Sequence, residues 1–166
     1  MTSISGYSCR CKSAQSLDKA RIEEFEISDL VFIGEIIEIN ETEAYAIVQP
    51  IETFKSDKKF IEPIKINIDI YCEPIIYHKG KWLIYASYFE EKLMVNVCGL
   101  TRSFKQPDEN RYFQLLPPPP PSPPAPEDSA KIDFTEYRIP KHLRLENRKF
   151  AIRELEKEVE HLKEKN

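Results

Sequence analysis

Leu30-Val31-Phe32-Ile33-Gly34-Glu35-Ile36-Ile37-Glu38-Ile39 is a long apolar and β-branched run with a single glycine inside it. Such a run reads as a strand, and a glycine in a strand interior marks a bulge or a barrel bend. Outward from it the chain keeps reading as strands. The polar stretch Asn40-Glu41-Thr42 suits a short hairpin turn into a second strand over 43–54, which carries Tyr45, Ile47 and Val48. Ile64, Ile66, Ile68 and Ile70 alternate with Lys65, Asn67 and Asp69, and this strict period of two places one face on a core and the other in water. Segments 81–88 and 93–97, joined through Glu90-Glu91-Lys92, complete five strands. Connected mostly by hairpins, they predict a mainly β fold, a small closed or partly closed antiparallel barrel, because closure removes edges that would otherwise pair with other chains.

Two helices are expected beside the barrel. Ser16 is placed to cap a helix over 17–26, whose Leu17, Ala20, Ile22 and Phe25 form a broadly apolar face. A second, short helix is expected over 108–116, with Tyr112, Phe113 and Leu116 covering the barrel.

Past residue 116 the composition changes abruptly. Segment 117–126 is eight prolines with Ser122 and Ala125, which favours polyproline II and a semi-rigid spacer rather than a core. An irregular segment is expected over 127–142. Over 143–165 the residues Leu145, Ile152, Leu155, Val159 and Leu162 fall at spacings 7, 3, 4 and 3, a heptad seam with Arg148 as a misfit, which predicts an amphipathic helix. A seam of so few heptads is marginal alone. It pairs with another copy, packs on the barrel or docks on a partner. Self-association through Ile152, Leu155, Val159 and Leu162 is the favoured expectation, with Glu154, Lys157, Glu158, Lys163 and Lys165 setting partner choice by charge.

Four cysteines are present, Cys9, Cys11, Cys72 and Cys98. An even count in a small domain fits an oxidising compartment, so a secreted, periplasmic or cell-envelope location is expected. Cys9 and Cys11, one residue apart, do not easily bridge each other, and four cysteines allow three pairings. The alternatives are a four-thiolate zinc site, which normally shows Cys-x2-4-Cys knuckles absent here, and buried thiols. Gly6-Tyr7-Ser8 ahead of Cys9 has the small-x-small pattern of a signal-peptidase site, so segment 1–8 reads as the remnant of a leader and Cys9 as a mature N-terminus.

Several functions are disfavoured. A formal charge of −4 gives no general attraction to phosphates, and Lys79, Lys81 and Lys92 near the aromatic residues are balanced by Glu90 and Glu91, so nucleic acid is not an expected partner. No stretch of apolar residues is long enough for a membrane-spanning helix. His78, His142 and His161 form no metal-ligand pair and stand beside no obvious nucleophile. Neither catalysis, nor a cofactor, nor an intrinsic metal is expected. Asn40-Glu41-Thr42 also fits a glycosylation sequon. Tyr77, Trp82, Tyr85, Tyr88 and Phe89 are candidates for a contact patch, or for barrel core and rim.

Cys9-Arg10-Cys11, a short helix, Ser28-Asp29-Leu30-Val31-Phe32-Ile33-Gly34-Glu35, Phe54-Lys55-Ser56, Tyr71-Cys72, Gly80-Lys81-Trp82-Leu83-Ile84-Tyr85-Ala86 and Val97-Cys98 together resemble the netrin-like module. The resemblance is to the N-terminal domain of the tissue inhibitors of metalloproteinases and their bacterial relatives, and it spans about residues 9–102. It implies an OB-type five-stranded barrel over 9–116 with Cys9–Cys72 and Cys11–Cys98 bridges. It further implies inhibition of a zinc metallopeptidase, in which the α-amine and carbonyl oxygen of Cys9 chelate the protease zinc while Arg10 enters the pocket for the side chain after the scissile bond. Only a free amine can chelate in this way, so segment 1–8 must be removed. The alternative role is a non-inhibitory extracellular or envelope binding module.

Overall fold

The run from Leu30 to Asn40 is strand β1, and it lies between two partners in a computed structural model. The structure describes residues 11, 16–57, 60–68, 76–113 and 141–165. Strands β2 (Tyr45–Lys55), β3 (Ile64–Asn67), β4 (Gly80–Phe89), β5 (Lys92–Val95) and the short β6 (Arg102–Ser103) follow in the chain. Their order is β1-β2-β3-β5-β4-β6, and β1 also pairs with β4. Five strands therefore close a barrel, β1-β2-β3-β5-β4-β1, of OB type, and β6 extends from β4 outside the ring.

The barrel is mixed rather than antiparallel throughout, which corrects the expectation. β3 and β5 run parallel, through Asn67 and Met94, while the other ring pairings are antiparallel. Parity requires this, because an odd number of strands cannot alternate direction all the way round a closed ring.

Two faces of β1 and β4 explain the continuous apolar run. Leu30, Phe32, Ile36, Trp82, Ile84 and Ala86 point into the barrel beside Val48, Ile66 and Val95. Val31, Ile33, Leu83 and Tyr85 point outward into a second core. A strand buried on both faces loses the polar half of its alternation. Gly34 sits at the bend, with register shifts at Ile33/Gly34 and on either side of it in the β1–β2 ladder. A side chain there would collide with Val48 Cγ1 and approach Phe32 Cε2 to 2.8 Å.

The turns carry their own chemistry. Asn40 Oδ1 accepts from the Glu43 backbone N–H at 2.9 Å, closing the β1–β2 turn, where Ala44 takes φ 54°. The β4–β5 loop is two residues, Glu90 and Glu91, both with positive φ (48° and 64°), as a type I′ hairpin requires.

Helix α1 (Leu17–Ile27) forms as expected, and the Ser16 carbonyl accepts from Ala20 N–H at 3.0 Å, although its hydroxyl makes no capping bond. Its buried stripe is Ala20 and Glu24, with Leu17 and Phe25 packed at its edge, whereas Ile22 turns to solvent. The helix expected over 108–116 is instead two single 3₁₀ turns, Pro107–Glu109 and Arg111–Phe113, separated by extended Asn110. Residues 114–116 lie outside the described residues, as does the proline segment.

Helix α2 (Lys141–Glu164) packs on the outer core, where Ala151, Leu155 and Leu162 join Val31, Ile33, Tyr85 and Leu100. This corrects the self-association expectation: Leu155 and Leu162, two of its four seam residues, are buried against the chain's own barrel. The buried stripe is Asn147, Ala151, Leu155, Glu158 and Leu162, rotated from the sequence seam so that Leu145 and Ile152 face solvent.

Candidate functional site

The N-terminal edge is the first place where sequence-predicted site residues meet. Cys11 and Cys98 are joined by a disulfide with Cα atoms 5.4 Å apart, across a sequence separation of 87. Cys9, Arg10 and Cys72 lie outside the described residues. Cys98 occupies a turn after β5 in which Gly99 N–H donates to Asn96 O at 2.9 Å and Cys98 N–H donates to Asn96 Oδ1 at 3.0 Å. The other side of the turn is held by Asn110, whose Nδ2 donates to the carbonyls of Gly99 and Thr101 at 2.9 and 3.2 Å. The segment that receives Cys11 is thus set by side-chain amides rather than by a sheet ladder.

Glu24 of α1 underlies this turn. Its Oε2 accepts from Asn96 Nδ2 at 3.1 Å, and its Oε1 lies so close to Gly99 that any side chain at Gly99 would strike it. Burial pushes the Glu24 carboxyl up to about 7, against the opposing pull of hydrogen bonds from Asn96 and the Leu100 backbone, and the negative Glu158 raises it further. The unfolded chain ionises nearer the ordinary value of 4.5. Glu24 therefore contributes stability that is fully present below about pH 4.5, falls as the pH rises to about 7, and has gone above it, a change of about 3 kcal/mol at most. Glu24→Gln should remove this slope. The difference between variant and parent urea-unfolding midpoints, followed from about pH 4 to about pH 8, should move in the variant's favour as pH rises; a flat difference contradicts the assignment. The amide sets one NH2 against a donor of Asn96 or Leu100, so the gain at high pH is smaller than the whole slope.

A second constellation joins the helices to the barrel. Glu158 of α2 and Arg102 of β6 are both almost fully buried, 3% and 1% exposed. Arg102 Nη2 donates to Glu158 Oε2 at 2.8 Å and its Nη1 donates to the Leu100 carbonyl at 2.9 Å. Tyr85 Oη donates to Glu158 Oε1 at 2.6 Å, and Arg21 Nε of α1 donates to Glu158 Oε2 at 2.8 Å. Arg21 also reaches the Glu154 carbonyl and carboxylate at 2.8 and 3.1 Å. The Arg102 guanidinium lies 4.1 Å from the Phe113 ring centre. Burial by itself pushes the Glu158 carboxyl up, but Arg102, with help from Tyr85 and Arg21, more than offsets it and holds the group below the ordinary glutamate value. Burial and the neighbouring Glu158 carboxylate raise the Tyr85 phenol. Four elements, α1, β4, β6 and α2, thereby converge on one carboxylate.

The aromatic candidates divide. Trp82 and Tyr85 are core residues, with Trp82 Nε1 donating to the His78 carbonyl at 3.1 Å. Tyr77, Tyr88 and Phe89 are exposed, Phe89 by 64% at the tip of the β4–β5 hairpin. Glu158, expected to steer a partner by charge, serves the chain's own fold instead. Sequence reasoning missed Glu24, Asn96, Arg102 and Asn110; the sole signal for Glu158 was its place three and four residues from Leu155 and Leu162. Among the described residues no group of three His, Cys, Asp or Glu side chains is placed to hold a metal, and no helix is long and apolar enough to cross a membrane.

The class these observations define is a disulfide-stapled OB-type barrel with two helices ion-paired to its outer face. No family model matches the sequence, and no curated protein matches it.

Proposed function

We propose that the protein is a secreted or cell-envelope netrin-like inhibitor of a zinc metallopeptidase, acting through Cys9 as a processed N-terminus. The observation that supports this reading is the Cys11–Cys98 bridge, which ties the chain two residues after Cys9 to a turn braced by Asn96, Asn110 and Glu24. An inhibitor that chelates with its terminus loses affinity if that terminus must first be ordered, and anchoring it in advance reduces this cost. A catalytic zinc keeps one coordination position open for an added ligand. An α-amine with a pKa of about 7.7–8.0 deprotonates readily on the metal near neutral pH. Arg10 in the adjacent specificity pocket selects a protease with an acidic pocket, since an unpaired buried guanidinium would cost several kcal/mol, about 3–5 by comparison with broken buried pairs.

The test compares three forms of the oxidised protein against a panel of zinc metallopeptidases: one starting at Cys9, one retaining Ser8, and one acetylated at the Cys9 amine. Inhibition by the first and its loss, by about a hundredfold or more, in the other two is the expected result. Equal inhibition by all three, or none by the first, defeats the proposal. The second reading, a non-inhibitory binding module, draws on the exposed Tyr88 and Phe89 at the hairpin tip, and binding through them is indifferent to the state of the N-terminus.

A further inference from the structure

Helices α1 and α2 leave a cleft of about 310 Å³ between them, near the lower end of the roughly 300–1,000 Å³ range of small-molecule sites. Its apolar surface comes from Ile22, Phe25 and Leu162. Ile22 is 55% exposed although it stands on the helix whose neighbours reach the core. Along the opposite ridge, Lys157, His161 and Lys165 follow at intervals of four residues, which places all three on one side of α2. Lys165 Nζ lies over the Phe25 ring at 5.0 Å, and Lys55 Nζ lies over the same ring at 5.2 Å.

The charges at the floor are already satisfied. Arg21 is held by Glu158 and Glu154, and Asp18 lies 3.5 Å from Arg21. Lys157 pairs with Glu154 at 2.8 Å. His161 and Lys165 have no acidic partner among the described residues. What remains is an open apolar trough edged by the His161 imidazole and by the Lys165 ammonium, which has no anionic partner among the described residues, in a chain whose formal charge is −4.

We propose that this cleft binds a small amphiphilic carboxylate, its hydrocarbon body on Ile22, Phe25 and Leu162 and its headgroup at His161 and Lys165. An inorganic anion would leave the apolar trough wet, and a neutral hydrocarbon would leave the Lys165 ammonium without an anionic partner. A ligand with both parts uses both surfaces. The site stands apart from the N-terminal edge and does not depend on the inhibitory reading.

Octanoate is the probe, titrated into the full oxidised chain at concentrations below micelle formation and followed by amide chemical shifts. Saturable shifts clustered at residues 21–25 and 157–165 are expected. Ile22→Glu and Lys165→Glu, both at exposed positions, should each weaken binding by about tenfold or more, with unchanged thermal midpoints as the check on folding. Acetate, which lacks the hydrocarbon, and octanol, which lacks the charge, should bind at least about tenfold more weakly than octanoate. Absence of saturable shifts in the cleft overturns the proposal, as does octanoate binding that both substitutions leave intact or octanol binding equal to that of octanoate.

Discussion

Glu158→Ala should lower the stability of the folded chain by about 3–5 kcal/mol, because it strands a buried guanidinium. Arg102 is 1% exposed, and among the described residues the carboxylate is its only anionic partner and its Nε already lacks a partner. The same substitution leaves the Tyr85 hydroxyl without its acceptor at 2.6 Å and frees Arg21 from one of its two glutamates. A loss of this size is a large share of the roughly 5–15 kcal/mol that a domain possesses. Removing both charges tests the cause: Arg102→Met with Glu158→Leu eliminates the stranded ion and refills the volume, so the double variant should be more stable than Glu158→Ala. Urea unfolding of the parent and both variants provides the measurement. A Glu158→Ala loss below about 1 kcal/mol, the scale of an exposed pair, would show that the cluster is hydrated and contributes little.

Opening the Cys11–Cys98 bridge should cost about 4–5 kcal/mol in the chain-entropy account, since it closes a loop with a sequence separation of 87. The variant Cys11→Ser/Cys98→Ser reports this without leaving an unpaired thiol. Its unfolding midpoint should fall well below that of the oxidised parent, and the m-value should rise as the unfolded ensemble expands. Equal midpoints would mean that the unfolded chain is held compact by other means. The functional consequence is separate from the thermodynamic one. If Cys9 acts at a protease zinc, the double variant should weaken inhibition even under conditions where the barrel remains folded, because the Cys9–Arg10 segment loses one of its two anchors and keeps only the Cys9–Cys72 bridge that the netrin-like reading implies.

Much of the barrel was legible because strand burial writes itself as a period. Ile64, Ile66 and Ile68 are all buried as their alternation required, and Gly34 marks a real register shift. The uninterrupted run Leu30-Val31-Phe32-Ile33 carried a further message, that both faces of β1 are covered, by the barrel interior on one side and by the helices on the other. The helix expected near Asp108 failed for a local reason. Pro107 can start a turn, but the Asn110 side chain bonds to the carbonyls of Gly99 and Thr101 and its backbone is extended, so the helix is interrupted after three residues.

The C-terminal helix shows where a linear reading stops. Its period was visible, but the choice of face was not, because apolar counting favours Leu145 and Ile152 over Asn147, Ala151 and Glu158. A glutamate scores as solvent-facing unless its counter-charges are known, and those of Glu158 come from Arg102 and Arg21, 56 and 137 residues away. Glu24 escaped detection in the same way, since its donors Asn96 and Leu100 belong to a turn far along the chain.

By itself, then, the sequence determined the five barrel strands, the β1–β2 and β4–β5 turns and helices α1 and α2, but neither β6 nor the 3₁₀ turns that replace the helix expected over 108–116, because each of the former depends on propensities and periodicities within a few neighbouring residues. Only the tertiary structure decided that β3 and β5 meet in parallel, which face of α2 is buried, and that one carboxylate can be buried among two arginines and a tyrosine, because each of these depends on groups that folding brings together from distant parts of the chain.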